Sequence, residues 1–345
     1  MTDTRCWRWA GFAVALIAMI PMPGRKSAWW FGCIFVLGHI GCVTTPYQFG
    51  RFHPGEPEGA ALQPIVVESG DYHPTLDKIG RIVGMPARIM TLNKKVNNHE
   101  ISPETLEKLQ EYMKSNDITD VYVAVNMYDP KGQWKRLKEN DRIDPLWRYS
   151  LGTMSWLGYT IFPNRVFGGD RYNAFTNSLN LSSDVPAMVL SEAAYAKDIH
   201  SQRHPGAYAA IVNDLPVLSV WRQSKAASDV LGYARAQNDW PVEKQAYHVL
   251  YPHMGSAIFG MGAPFAGTYA PYIGIGGAVV GHTAGRTVAK LREPKLPESS
   301  ADEPLPLEPS GDGDSQKPSA EEPLRSTTGV IMHASYEESQ ADDSD

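Results

Sequence analysis

The stretch from Ser178 to Asp198 decides the fold, and it reads Ser-Leu-Asn-Leu-Ser-Ser-Asp-Val-Pro-Ala-Met-Val-Leu-Ser-Glu-Ala-Ala-Tyr-Ala-Lys-Asp. Polar and apolar residues alternate from Ser178 to Leu181, which is the pattern of a strand. The next residues, Ser-Ser-Asp-Val-Pro, are typical of a helix start, with capping side chains followed by a proline in the first turn. This stretch therefore predicts a strand that leads directly into a helix.

The flanking sequence adds further elements and predicts a small α+β domain over residues 78–244. Ser102-Pro103-Glu104-Thr105 begins an N-capped helix, and residues 121–125 form a buried strand. Two longer helices are predicted at 184–200 and 215–236. We expect these helices to pack against a small mixed sheet.

The helix after the strand carries Ser191, Glu192 and Tyr195 at the positions that the zinc-binding pattern His-Glu-x-x-His would fill. In that pattern two histidines one turn apart bind one zinc ion, and the glutamate acts on the water bound to it. A serine hydroxyl binds zinc poorly, and a tyrosine phenol stays protonated near neutral pH. The sequence thus keeps a general-base position but no histidine pair, so we expect no metal and no cofactor.

The motifs around this helix resemble an uncharacterised bacterial family of membrane-associated zincin-like metalloproteases. The matching pieces are Tyr-Asn-Ala-Phe-Thr at 172–176, Ser-Asp-Val-Pro-Ala at 183–187, residues 191–198, and Trp-Arg-Gln-Ser-Lys-Ala-Ala-Ser-Asp at 221–229. The resemblance covers about residues 80–290. It implies a minimal zincin-like fold with a cleft, in which an edge strand binds extended substrate beside the metal helix.

The same resemblance assigns expected roles to three more residues. Gln223 stands where the family places a glutamate as third zinc ligand, and an amide oxygen is a much poorer ligand than a carboxylate. Asp198 and Asp229 stand where active members would orient the ligands. The alternative for both aspartates is ordinary charge pairing that stabilises the helices with or without a metal.

Two functions remain open at this point. In the first, the protein is a membrane-anchored, catalytically inactive zinc-protease-like protein that acts by protein binding or self-association. In the second, it is an atypical metal-dependent peptidase that uses Glu192 as base with a rearranged set such as Asp198, His200 and Asp229, or that uses Ser191 as nucleophile without a histidine in helical register. We expect the first, because all three ligand positions are altered.

Residues 1–42 have the pattern of an export leader. Arg-Lys at 25–26 precedes an apolar run at 29–37, which ends in Gly-His-Ile-Gly-Cys at 38–42. This ending resembles a lipobox in which His39 departs from the usual leucine. We therefore predict an exported, membrane-associated protein on the periplasmic face, lipid-anchored at Cys42. A second apolar run at 9–22 leaves open a start at Met22 or a pair of membrane helices, although both runs are short for a span.

Composition separates the ends of the chain from the predicted domain. All three cysteines lie within residues 1–42, which excludes disulfides and cysteine-based sites from the rest of the chain. Residues 43–77 lack periodicity and are predicted to be a tether. Residues 291–345 contain four Lys or Arg against 14 Asp or Glu, so they carry −10 of the total charge of −6 and the remainder carries +4. We predict a disordered acidic tail.

Residues 245–290 form a predicted glycine-zipper segment. No Asp, Glu, Lys or Arg occurs from Gln245 to Gly285, and Gly277, Gly281 and Gly285 recur at helical spacing. Three glycines on one face allow another helix to approach closely. We expect an apolar, glycine-rich helical hairpin of two short helices that associates with the membrane or drives homo-oligomer formation, with buried packing on the domain as the alternative.

The predicted partners are therefore the membrane, an unknown protein and a second copy of this chain. No nucleic acid is expected, because the charged run at 131–142 mixes both signs and forms no basic surface.

Overall fold

The computed structural model of this chain describes residues 47–50, 65–71, 73–265 and 267–293. The predicted leader with Cys42, much of the tether, and the tail from residue 294 onward lie outside the described residues. Within the described part, helices surround a small mixed sheet, which confirms the predicted α+β class.

The elements follow one another along the described chain. The strands are β1 Val67–Ser69, β2 Tyr122–Val125, β3 Arg171–Asn173 and β4 Ser178–Leu181. The helices are α1 Pro74–Val83, α2 Met85–Thr91, α3 Pro103–Ser115, α4 Pro130–Glu139, α5 Pro145–Trp147, α6 Thr153–Ile161, α7 Asn164–Phe167, α8 Pro186–His200, α9 Pro205–Asp214, α10 Pro216–Ala236, α11 Trp240–Gly260 and α12 Ala270–Arg292.

The four strands form one sheet in the order β1-β2-β4-β3. β1 and β4 run parallel to β2, and β3 runs antiparallel to β4. Every residue of β2 and β4 is buried. The strand predicted at 178–181 is therefore an inner strand, whereas the edge beside the helices is β3.

Local sequence signals explain where α3 and α8 begin. Ser102 Oγ accepts a hydrogen bond from Thr105 N–H at 3.4 Å, and Pro103 occupies the first turn of α3, as predicted. α8 also begins at a proline, Pro186, but the predicted Ser-Ser-Asp cluster at 182–184 does not cap it, since the N-cap residue is Val185 and no side chain forms a cap hydrogen bond.

Asp184 instead joins the start of α8 to the start of α3. Its carboxylate accepts hydrogen bonds from Ser102 N–H at 3.0 Å, Ser102 Oγ at 2.6 Å and Thr105 Oγ1 at 2.6 Å. Lys95 Nζ lies 2.6 Å from the other oxygen. Burial alone raises the pKa of Asp184, but these hydrogen bonds outweigh it and hold the pKa well below its usual range.

The predicted tether over 43–77 is wrong at its C-terminal end. β1 pairs with β2 through Val67 and Val123, so the folded chain begins before residue 78. Asp77 is buried and forms an ion pair with Arg165, whose Nε lies 2.7 Å from Oδ1. The pair fixes α1 against α7, 88 residues further along the chain.

α11 and α12 pack against each other along most of their length, in antiparallel directions. α11 runs through the predicted boundary at 244/245, and both helices are longer than the two short helices expected there. Added Cβ atoms at Gly277, Gly281 and Gly285 would lie 2.0–2.3 Å from backbone oxygens of α11, so only glycine permits this approach. Among the described helices, none combines the length and apolar character that crossing a membrane requires.

Candidate functional site

Ser191, Glu192 and Tyr195 lie on α8, the central helix of the fold. α8 contacts α3, α10, α11 and the edge strand β3. Its side chains are mostly buried from Val189 to His200, whereas the side chain of Glu192 is 19% exposed. The surface around Glu192 is therefore where this helix can meet a ligand.

Glu192 binds the edge of the sheet. Its Oε2 accepts a hydrogen bond from the backbone N–H of Tyr172 in β3 at 3.0 Å, and Arg222 Nη1 of α10 lies 3.9 Å away. An incoming peptide strand would need free backbone groups on the outer edge of β3. The carboxylate in the general-base position takes one of those groups itself.

Tyr195 is part of the core. Its side chain is 1% exposed, its ring packs edge-on against Tyr172 with centroids 5.7 Å apart, and the guanidinium of Arg222 lies 4.3 Å from its ring centroid. Asn213 Nδ2 donates a hydrogen bond to the phenol oxygen at 3.0 Å. Burial raises the pKa of Tyr195 to about 12, so the phenolate that could bind a metal does not form near neutral pH.

Ser191 and Gln223 occupy the other two predicted ligand positions. Ser191 Oγ donates a hydrogen bond to Met188 O at 2.8 Å, within its own helix, and no histidine ring bonds it in the described part of the chain. Gln223 Oε1 and Arg222 Nε are buried without hydrogen-bond partners among the described residues. Polar atoms of this kind are available to a bound ligand or to water.

The charges of Glu192 and Arg222 also reach His253 of α11. Desolvation lowers the pKa of His253, Glu192 raises it and Arg222 lowers it.

Asp198 and Asp229 join α8 to α10 through two ion pairs. Asp198 pairs with Lys225 and also accepts a hydrogen bond from Tyr208 Oη. Asp229 of α10 pairs with Lys197 of α8 at 2.8 Å, so each helix supplies one aspartate and one lysine. Both aspartates therefore form ion pairs between α8 and α10, and their ligand-orienting role stays a prediction.

Residues 47–50 pack beside the second ion pair. Tyr47 Oη donates a hydrogen bond to Asn116 Oδ1 at 2.7 Å and also lies 3.1 Å from Asp229 Oδ1. Lys197 Nζ donates to Tyr47 Oη at 2.9 Å and to Gln48 O at 3.0 Å. A Cβ at Gly232 would lie 3.0 Å from the Tyr47 ring. Part of the predicted tether therefore packs firmly onto α8 and α10.

The rearranged metal set is not brought together. In the part of the chain that the structure describes, no group of three or more His, Cys, Asp or Glu is close enough to hold a metal ion. Asp198 and Asp229 contact different lysines, and His200 Nε2 contacts Asn177 Oδ1 at 3.1 Å.

No protein-family model, curated protein or solved structure matches this chain. The zincin-like resemblance therefore rests on the motifs quoted above and stays a prediction.

Sequence reasoning missed two contributors to this region. Arg222 precedes Gln223 in a quoted motif, and its proximity to Glu192 depends on how α8 and α10 pack. Tyr47 lies 150 residues before Lys197, and no local pattern indicates that they meet.

Proposed function

We propose that this protein is a membrane-anchored, catalytically inactive zinc-protease-like protein that acts by binding rather than by hydrolysis. The observation that carries the proposal is the environment of Glu192. Its carboxylate accepts a hydrogen bond from the Tyr172 N–H and lies beside Arg222. A general base must reach a water or a substrate proton. Here one carboxylate oxygen already accepts from a strand N–H, a guanidinium lies nearby, and Tyr195 fills the neighbouring ligand position with a buried ring.

The surface of α1 and α2 favours a membrane as the binding partner. We define the α1–α2 apolar face by side chains that are 40–64% exposed, namely Leu76, Ile79, Ile82, Met85, Ile89 and Leu92. Residues 78–95 contain five Lys or Arg and no Asp or Glu. A basic helix pair with an exposed apolar face suits the interface of a bilayer that contains anionic lipid.

The three closely packed glycines of α12 make their contacts within one copy of the chain. Gly277, Gly281 and Gly285 contact α11 of the same chain. A homo-oligomer through these glycines would need α12 to exchange between two copies. Membrane binding through the α1–α2 apolar face needs no such rearrangement, and we therefore place it first.

Vesicle flotation tests the membrane part of the proposal. A chain that begins at Val43 lacks the leader and Cys42, so neither can contribute to membrane binding. Ile89→Glu, at a residue that is 64% exposed, should weaken binding to anionic vesicles by roughly tenfold or more, since it removes an apolar contact and adds a repelled charge. Leu146→Glu, at a residue of α5 that is 72% exposed, is the matched control and should leave binding unchanged. Equal loss in both variants would contradict the proposed face.

Metal analysis tests the loss of catalysis. The natural chain should purify without stoichiometric zinc, whereas the combined variant Ser191→His, Tyr195→His and Gln223→Glu restores the ligand types of an active site. Zinc bound by the restored variant alone supports the inactive-protease proposal. Stoichiometric metal in the natural chain would instead favour the atypical peptidase with Glu192 as base.

A further inference from the structure

A second site lies between the C-terminal end of α2 and the packed helices α11 and α12. It is a cavity of about 320 Å³, and four basic side chains line it: Lys244, His248, His282 and Arg286. A water molecule takes about 30 Å³ of liquid volume, so a phosphate group with part of an ester substituent fits this space.

The helix geometry explains why these four side chains meet. Lys244 and His248 are four residues apart on α11, and His282 and Arg286 are four residues apart on α12, so each pair occupies one helix face. Gly285 lies against the backbone of α11 and keeps the two helices close. The glycines thus bring two basic pairs together on one cavity.

The charged residues that line the cavity are all basic. None of its lining residues is an Asp or Glu. Glu293 at the end of α12 pairs with Lys244 at 3.1 Å on an exposed edge, and Arg286 forms no ion pair among the described residues. Burial lowers the pKa of His248, and Arg286, Lys244 and His282 lower it further.

His282 presents an unpartnered ring nitrogen at this cavity. Its Nε2 donates a hydrogen bond to Met90 O of α2 at 2.9 Å, and its buried Nδ1 has no hydrogen-bond partner among the described residues. A buried polar atom of this kind is available to a bound ligand or to water.

We propose that Lys244, His248, His282 and Arg286 form a binding site for a phosphate group. Arginine and lysine are suited to phosphate oxygens, through forked hydrogen bonds and point charge respectively. Leu92, 64% exposed, lines the same cavity and belongs to the α1–α2 apolar face. The phosphate can therefore belong to a soluble molecule or to a phospholipid headgroup, and the second case rests on the proposed membrane function.

Calorimetric titration of the full chain in a nonionic detergent tests the site, with inorganic phosphate and dihexanoyl phosphatidic acid as probes. Arg286→Gln should weaken binding of both probes by about tenfold or more, because it removes a charged donor. Lys290→Gln makes the same charge change on the same helix, outside the cavity lining, and should stay within about twofold of the natural chain.

The possible results distinguish a phospholipid headgroup from a soluble phosphate, and the phosphate site from the membrane proposal. Tighter binding of the lipid probe than of inorganic phosphate assigns the site to a headgroup, and equal binding assigns it to a soluble phosphate. No binding of either probe, or equal weakening by Arg286→Gln and Lys290→Gln, overturns the site. Ile89→Glu should keep phosphate binding while losing vesicle binding, so failure of the membrane proposal is seen separately.

Discussion

Replacing Gly281 by alanine places a methyl group against the backbone of α11. The added Cβ would lie 2.3 Å from Tyr251 O and 2.5 Å from Pro252 Cα, whereas ordinary contact begins near 3.4 Å. The helices must therefore separate by roughly 1 Å, because backbone atoms cannot rotate away. Overpacking of this kind costs about 1–3 kcal/mol, and we take the upper half of that range for two backbone contacts.

A matched variant isolates the clash from the helix preference of alanine. Gly276 lies on the same helix, and an added Cβ there meets no atom within 4 Å. Alanine favours a helix over glycine by about 1 kcal/mol at either position. Gly276→Ala should therefore stabilise the protein by up to about 1 kcal/mol, while Gly281→Ala should destabilise it by about 1–2 kcal/mol.

Thermal unfolding of the full chain, followed by circular dichroism, measures both effects. One kcal/mol corresponds to about 2–4 °C for a domain of this size, so the Tm should fall by roughly 2–8 °C for Gly281→Ala and rise by up to about 4 °C for Gly276→Ala. Urea titration should rank the natural chain and the two variants in the same order. A Tm for Gly281→Ala that equals or exceeds that of Gly276→Ala would refute the close packing of α11 and α12.

Three further perturbations address the buried polar contacts. Asp77→Asn leaves Arg165 buried without its countercharge and should lower the free energy of unfolding by about 3–5 kcal/mol in urea titration, whereas an effect below about 1 kcal/mol would contradict the buried pair. Asp184 has a depressed pKa in the folded state, so its stabilisation is present above the unfolded pKa of about 3.9 and is lost as the pH falls through the folded value. Asp184→Asn should therefore lower stability at pH 7 and flatten the decline in Tm between pH 5 and pH 2, and an unchanged pH profile would exclude this linkage. Tyr47→Phe keeps the ring but removes the hydrogen bonds to Asn116 and from Lys197 and the contact with Asp229. It should cost about 1 kcal/mol, which a Tm equal to that of the natural chain would disprove.

The sequence predicted those elements whose signals are local. The cap at Ser102, the buried strand at 122–125, and the helices α8 and α10 each carry periodicity or a terminal proline. α9 was missed, because Pro205–Asp214 lies in a short interval between two stronger helices. β1 has three residues, too few to show alternation, and it is defined by its pairing with β2.

The candidate sites depend more on tertiary contacts. Glu192 and Tyr195 were selected from spacing and Gln223 from the family resemblance, but the binding of Glu192 to β3 requires the position of an edge strand relative to α8. The capping cluster at 182–184 was predicted incorrectly, since Asp184 binds partners at 102 and 105 that are about 80 residues away in sequence. The basic cavity has a local signal in Lys244-x-x-x-His248 and His282-x-x-x-Arg286, but only the antiparallel packing of the two helices joins the two pairs.

The packing of Tyr47 sets how far the domain can lie from Cys42, the proposed lipid anchor. Tyr47 follows Cys42 by five positions, so the two span at most about 18 Å when fully extended. If the chain were held only from Ile65 onward, the span would grow to about 80 Å. Were Cys42 acylated as proposed, the contacts of Tyr47 with Asn116, Lys197 and Asp229 would shorten this reach about fourfold and keep the domain near the bilayer surface.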